Sequence, residues 1–274
     1  MFETNQRKIF GIFYSKDIYY AESLQSLDKK YDLVNYRHSS LKLEPCKEFH
    51  TLYIDLTPSE EDMLNSFSRN HKRYIRQMAR RKDLEIQIIE QPTQLELEKF
   101  ATHYNKFAML KNISRCPKQF LNNLAALGKL IIIKAIMFEE TLAQFAFITD
   151  EERVVVHCGC TARLFYYSDP KMFSMIKYAH LYMDYQAMLY FKNRNIKIFD
   201  FCGLDVEKGE VLTGGVNQYK LGFGGKKVVE YHFMVSYTLK GQLLCRLKNW
   251  RDKLKTFNYL NKAYEHIVLS RNLL

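Results

Sequence analysis

A chain of 274 residues, 47% hydrophobic and 26% charged, has the composition of a globular protein with room for one large domain or two small ones, which excludes a disordered or fibrous chain. Its formal net charge of +11 calls for an anionic partner: nucleic acid, a membrane surface, or a substrate or cofactor carrying phosphates. No run of about 18 apolar residues could span a membrane, the opening "MFETNQRKIFGIFYSKD" lacks the apolar core of a signal peptide, and six cysteines without a second Cys/His pair make neither a disulfide framework nor a zinc site, so the expectation is a cytoplasmic protein with reduced thiols and no metal.

In chain order, residues 1–56 read as short strands with turns: "KIFGIFYS", "YDLVNYRH" and "TLYIDL". Thr57-Pro58-Ser59-Glu60-Glu61 is a helix start, with a hydroxyl cap, proline in the first turn and early carboxylates. The periodicity predicts one helix from there to about Lys82, with Leu64, Phe67, His71 and Met78 on one face and Arg69, Arg73, Arg76 and Arg80 on another. "LEIQIIE" reads as a strand, followed by helices over "PTQLELEKFATHYNKFAML" and "KQFLNNLAAL". "KLIIIKAIMF", "TLAQFAFIT" and "RVVVHCGCTA" are joined by turns too short for anything but an antiparallel meander. A long helix, "DPKMFSMIKYAHLYMDYQAMLYFKNRN", crosses over to the strand "IKIFDFCG", which is therefore expected to lie parallel to a meander strand. After a loop comes the strand "KKVVEYHFMVSYTL", then a tail in which Leu243, Leu247, Trp250, Leu254 and Phe257 form a helical stripe.

The stretch from Phe199 to Gly225 holds Gly203, Gly209, Gly214, Gly215, Gly222, Gly224 and Gly225, seven of the eleven glycines. Two readings compete there: plain turns between strands, or a backbone shaped around something bound. The element order is that of an α+β protein with a mixed sheet. The expected organisation is a strand-rich segment over 1–56, a main domain over 57–240, and a basic amphipathic helical tail over 241–274. The tail is expected to pack or to pair two copies as a homodimer; membrane contact is the lesser reading.

Three segments carry a resemblance: "TLYIDLTPSEEDMLNSFSRNHKRYIRQMARRKDLEI", "FDFCGL" and "YKLGFGGKKVVEY". With the element order, they resemble the GNAT acyltransferase superfamily. More narrowly they resemble its Fem branch, the peptidoglycan bridge-forming aminoacyltransferases and their shorter relatives. The likeness covers roughly residues 50–240. Full Fem enzymes have two GNAT-like units; here residues 1–56 are at most a remnant of the first. The family's Gln/Arg-x-x-Gly-x-Gly/Ala pyrophosphate loop is replaced by "RLFYYSDPKMFS". The resemblance implies a GNAT-like sheet with two splayed parallel strands and acyl transfer from a thioester or ester donor to an amine. The leading reading is transfer from acyl-CoA to a nucleotide-linked amino sugar, in surface-polysaccharide synthesis. The alternatives are a Fem-type transferase using aminoacyl-tRNA on a peptidoglycan precursor, and a non-enzymatic RNA-binding module suggested by charge and aromatics. DNA is not an expected partner.

The chemistry needs a neutral amine, a cradle for the oxyanion and a proton for the leaving group. Asp200, at the end of its strand, is a candidate base or a structural aspartate bonding loop amides. His157 is the other candidate base, or a core histidine. Tyr166, Tyr167 and Tyr219 are candidate proton donors. The resemblance implies that a pantetheine arm runs along Gly159, Cys160 and Thr161, with a pyrophosphate at the helix N-terminus from Ser168 through Lys171 to Ser174. Asp169-Pro170 as a plain helix cap is the competing reading. Lys220, in the family-like "QYKLGFGG", is expected to contact phosphate or the developing negative charge, with Asn217 beside it on the substrate. Arg73 and Arg76 are expected on the acceptor's diphosphate, because the stretch Arg69–Lys82 has almost no acids to neutralise it.

Overall fold

The computed structural model describes residues 2–3, 7–9, 12–25, 31–207 and 210–247. The tail residues Trp250, Leu254 and Phe257 and the turn residue Gly209 lie outside the described residues; the chain is helical over 239–247. Two compact units form. One is Phe49–Glu230; the other comprises residues 1–48 and Tyr231–Leu274. Strands β5 (Cys46–Asp55) and β13 (Lys226–Ser236) each run from one unit into the other. The boundary expected after residue 56 therefore falls earlier. The reason is pairing: Tyr53, Ile54 and Asp55 of β5 ladder with β10 (Ile198–Asp200), which places them in the larger unit.

In the smaller unit, β3 (Phe13–Tyr19) pairs with β1 (Phe2–Glu3) and β2 (Arg7–Ile9), and lies parallel to β4 (Leu33–Ser39). The last part of β13 pairs antiparallel with β4. Ile18, Val34, Tyr36 and Phe233 form its core. A buried Asn35 amide donates to Ser15 and Asp17, so that core carries a satisfied polar group.

The larger unit begins with α1 (Glu60–Ser66) and α2 (Arg69–Ala79), where one continuous helix was expected. Phe67 is extended at ψ 156° and is only 3% exposed, its ring edge-on to Tyr185 and Phe223. Ser68 starts the second helix, its hydroxyl accepting the His71 N–H. In a continuous helix the Ser68 N–H would bond Leu64; here it donates to the Gly222 carbonyl at 2.8 Å. Aromatic burial and a second cap outweigh an uninterrupted periodic face.

β6 (Leu84–Ile89), α3 (Gln94–Lys111) and α4 (Lys118–Ala126) follow. A full capping box between Thr93 and Glu96 starts α3, and left-handed Asn112 (φ 52°) ends it. The meander is β7 (Leu130–Met137), β8 (Glu140–Thr149) and β9 (Arg153–Thr161), antiparallel as expected. A short 3-10 turn (Ala162–Tyr166) leads to α5 (Pro170–Asn193), the crossover helix, and then to β10, parallel to β9. The sheet of this unit runs β5-β10-β9-β8-β7-β6. On β7, Ile131 and Ile133 enter the core formed with α1, α2 and α5. The alternate positions Leu130 and Ile132 are buried on the opposite face, where α4 packs.

The glycine-rich stretch contains more than turns. It folds as a small hairpin, β11 (Val206–Glu207) and β12 (Glu210–Val211), then a helix, α6 (Gly215–Leu221), then the run into β13. Among the described residues, no helix is long and apolar enough to cross a membrane. Gly225 has φ +86°, and a Cβ there would lie 2.5 Å from the Tyr53 carbonyl oxygen. Gly225→Ala is therefore expected to lower stability by on the order of 2 kcal/mol, from left-handed strain plus a backbone clash, as a reduced midpoint in urea unfolding.

Candidate active site

The parallel pair β9–β10 is short. Its ladder ends where Asp200 faces Val155. Beyond that point β9 continues to Thr161, still paired to β8. The chain after β10 follows β5 instead: Phe201 N–H donates to Leu52 O and Leu204 N–H to His50 O. The two strands therefore part, and β9 from Val156 to Thr161 has no β10 residue beside it.

Cys202 turns the chain at this fork, with φ +57°. Its N–H donates to Asp200 Oδ1 at 2.8 Å. The Lys220 ammonium donates to the Cys202 carbonyl at 2.9 Å and to the Gly203 carbonyl at 2.5 Å. The lysine expected on phosphate or the developing negative charge holds backbone at the strand end, and burial lowers its pKa.

Asp200 is fully buried. Oδ1 also accepts the Thr51 hydroxyl, while Oδ2 has no hydrogen-bond partner and lies 3.9 Å from Arg153 Nη1. Arg153 is committed to the nearly buried Glu230 at 2.6 Å, which also accepts the Tyr53 hydroxyl. Burial, helped by the Glu230 carboxylate, pushes Asp200 up to about 6. One Asp200 oxygen thus bonds the turn amide, and the other is left without a hydrogen-bond partner.

Tyr219 enters a second cluster. Its hydroxyl donates to Asp184 Oδ2 at 2.7 Å, and His180 Nε2 lies 3.3 Å from the same oxygen. The His180 ring is stacked between Tyr219 (centroids 4.9 Å apart, 18°) and Phe145 (4.6 Å, 11°). Burial raises Asp184 to about 7 and lowers His180 to about 3, with Arg163 adding to the latter. His180 and Asp184 were missed from sequence. Their signal was a His-x-x-x-Asp spacing, which puts both on one face of the crossover helix.

The remaining candidates are placed as follows. A Cβ on Gly159 would fall 2.2 Å from the Phe145 ring, so that face of the glycine is covered by a phenyl group. Cys160 is buried beside the Gln144 amide, its thiol pushed up to about 12 by desolvation, and Thr161 closes β9. His157 rests against the Phe120 ring of α4, centroids 5.0 Å apart, away from the Tyr219 cluster on α5. Ser168, Lys171 and Ser174 do stand at the start of α5, but Asp169 Oδ1 already accepts the N–H groups of Lys171 (3.0 Å) and Met172 (3.1 Å). A carboxylate thus occupies the position expected for a pyrophosphate. Asn217 is buried, and its amide bonds Asp205 N, Asp205 O and Leu212 O, stitching the hairpin to α6 instead of facing a substrate. Tyr166 is bonded to Glu140, and Tyr167 is 82% exposed. Arg73 and Arg76 are exposed and line a concavity of about 810 Å³ with Arg69, Lys72 and Arg80.

No protein-family profile and no curated protein matches the sequence. Solved structures match it in fold. The crystal structure of FemX superposes at a TM-score of 0.52 with 12% identity over 72% of this chain. The chain has a GNAT-like fold. It spans 63% of the FemX structure's length. L-PGS from Bacillus licheniformis gives a TM-score of 0.49 at 12% identity, over 78% of this chain and 72% of that one. The C-terminal domain of a putative lysylphosphatidylglycerol synthetase from Agrobacterium fabrum gives 0.48 at 9%, over 78% and 70%. The likeness is one of architecture.

Asp200 supplies a pH test of this geometry. Its folded pKa of about 6 lies above the roughly 3.9 of an unfolded aspartate. Between those values the native protein holds a proton that the unfolded chain has released, so this group makes stability fall as pH rises. Asp200→Asn, which keeps an acceptor for Thr51 and Cys202, is expected to shrink the loss of unfolding free energy between about pH 4 and about pH 7 by on the order of 2 kcal/mol. Parallel urea titrations of wild type and variant measure it.

Proposed function

We propose that the chain is an acyltransferase that moves an acyl group from a thioester or ester donor to an amine in the gap where β9 and β10 part. The observation carrying this reading is the fork itself, with a buried, half-satisfied Asp200 carboxylate on its last paired residue. The incoming ammonium gives up a proton beside the fork, where Asp200 fixes the Cys202 turn. The tetrahedral intermediate forms beside the backbone held by Lys220. Our first reading of the substrates is acyl-CoA as donor and a nucleotide-linked amino sugar as acceptor, as in surface-polysaccharide synthesis in the cytoplasm. The basic concavity on α2 supports a diphosphate-bearing acceptor, because no acidic partner of Arg73 or Arg76 occurs among the described residues.

One observation favours a second reading. The Asp169 carboxylate at the start of α5 takes the amides that a CoA pyrophosphate would use. That suits a Fem-type transferase with an aminoacyl-tRNA donor, whose reactive ester needs no pyrophosphate site there.

Incubation with acetyl-CoA and an amino-sugar nucleotide, with free thiol as readout, is expected to give turnover. In Arg73→Ala or Arg76→Ala the acceptor KM should rise about tenfold or more, for the loss of one charge-assisted bond, with the donor KM unchanged. Transfer from charged tRNA with no thiol release from CoA would overturn the first reading in favour of the second. Lys220→Ala leaves two buried carbonyls unpaired. It is expected to cost about 1.5–3 kcal/mol of stability and to reduce kcat more than it raises KM; unchanged kcat and unfolding midpoint would refute the role given to the lysine.

A further inference from the structure

The cluster of His180, Asp184 and Tyr219 is not used by the mechanism above, yet it lies beside the fork. Phe145, which covers Gly159 on the free edge of β9, stacks on His180. Tyr219 precedes Lys220, whose ammonium holds the end of β10. The cluster therefore reaches from Phe145, beside Gly159 of β9, to Tyr219, next to the lysine that holds the end of β10. Their polar atoms are also incomplete. Asp184 Oδ1 and His180 Nε2 are buried without a hydrogen-bond partner. An orphaned carboxylate oxygen inside a protein costs free energy unless it has work to do or holds a proton. The Asp184 side chain is 2% exposed and that of His180 16%.

We infer that Asp184 stores the proton shed by the acceptor ammonium, passed to it through the Tyr219 hydroxyl. This rests on the acyl-transfer reading and adds a proton-holding residue to it. In the step, the ammonium gives one proton to the Tyr219 oxygen while Tyr219 gives its own to Asp184 Oδ2, leaving tyrosine unchanged and the carboxylate neutral. The freed amine attacks the acyl carbon and a C–N bond forms. The bond from that carbon to the donor sulfur or oxygen breaks, and the nitrogen's second proton goes to the leaving group. The stored proton then returns to solvent, so the sum is ammonium plus donor to amide plus protonated leaving group plus one proton.

The charged surroundings favour this. Asp184 is raised to about 7 by burial, while the Tyr219 hydrogen bond and the Lys220 charge pull it back down. The neighbouring His180 stays neutral, held so by desolvation and by Arg163, and cannot compete for the proton near pH 7. His71 bonds the Tyr219 carbonyl at 3.0 Å and is itself held low by burial, so its ring adds no charge against the hydroxyl.

The test has two arms. In the first, protein labelled with 13C at aspartate carboxyls is titrated without substrate, with Asp184→Asn identifying the resonance. A midpoint near neutrality, moved upward in Tyr219→Phe, is the expected result. A midpoint in the ordinary aspartate range overturns the inference. In the second, Asp184→Asn is assayed with acetyl-CoA at neutral pH. Turnover of an amino-sugar nucleotide, an ammonium in solution, should fall about 100-fold or more, and the acid limb of its pH profile should change. Turnover of hydroxylamine, already unprotonated, should stay within about threefold. Equal losses for both acceptors would show a merely structural aspartate and overturn the inference. No turnover of either acceptor by the wild-type protein would overturn the CoA-dependent reading and the relay's place in it, while the carboxyl titration would still report whether Asp184 holds a proton.

Discussion

The site depends on a grip on one backbone turn. Cys202 is held from both sides, its N–H by the Asp200 carboxylate and its carbonyl by the Lys220 ammonium. A left-handed, non-glycine residue is costly and persists only where its surroundings fix it. Here the fixing groups are both ionisable, Asp200 fully buried and Lys220 partly so, and each bond is strengthened by the low-dielectric setting. The grip turns β10 away from β9 after three paired residues. Without it the parallel ladder could simply continue and close the gap.

Around that turn, close approaches replace ordinary side-chain packing. A Cβ on Gly222 would lie 2.2 Å from the His71 ring, and one on Gly159 would meet Phe145 at the same distance. Two rings thus sit directly on backbone, which brings α2 against α6 and seats the Phe145–His180–Tyr219 stack. The wider core around it is aromatic throughout: Phe67, Phe199, Phe201 and Phe223 are all nearly inaccessible. Such a core suits a site made of buried ionisable groups, since it keeps water from them and favours their uncharged forms.

Much of the architecture was legible in the sequence. Alternation and short turns gave the meander, and the long apolar helix before "IKIFDFCG" required a parallel crossover strand; both are local signals. What stayed hidden was set by tertiary contacts. The break at Phe67-Ser68 follows from where an aromatic ring finds burial, which periodicity alone does not carry. The helix over Gly215–Leu221 is masked by a leading glycine and a short span. Lys220 stands out in the sequence, but its bonds to two carbonyls depend on the turn at Cys202, eighteen residues upstream. Asp169 shows the same limit: its plain reading as a cap is the one the structure adopts.

The bonds from α2 to α6 have a mechanical meaning. Ser68 N–H reaches the Gly222 carbonyl, and the His71 ring reaches the Tyr219 carbonyl at 3.0 Å. The arginine-bearing helix and the helix carrying Tyr219 and Lys220 are consequently bolted together near one end. The short helix that carries the lysine thus has an anchor outside its own turns, and its place is set by α2 as much as by the chain that leads into it.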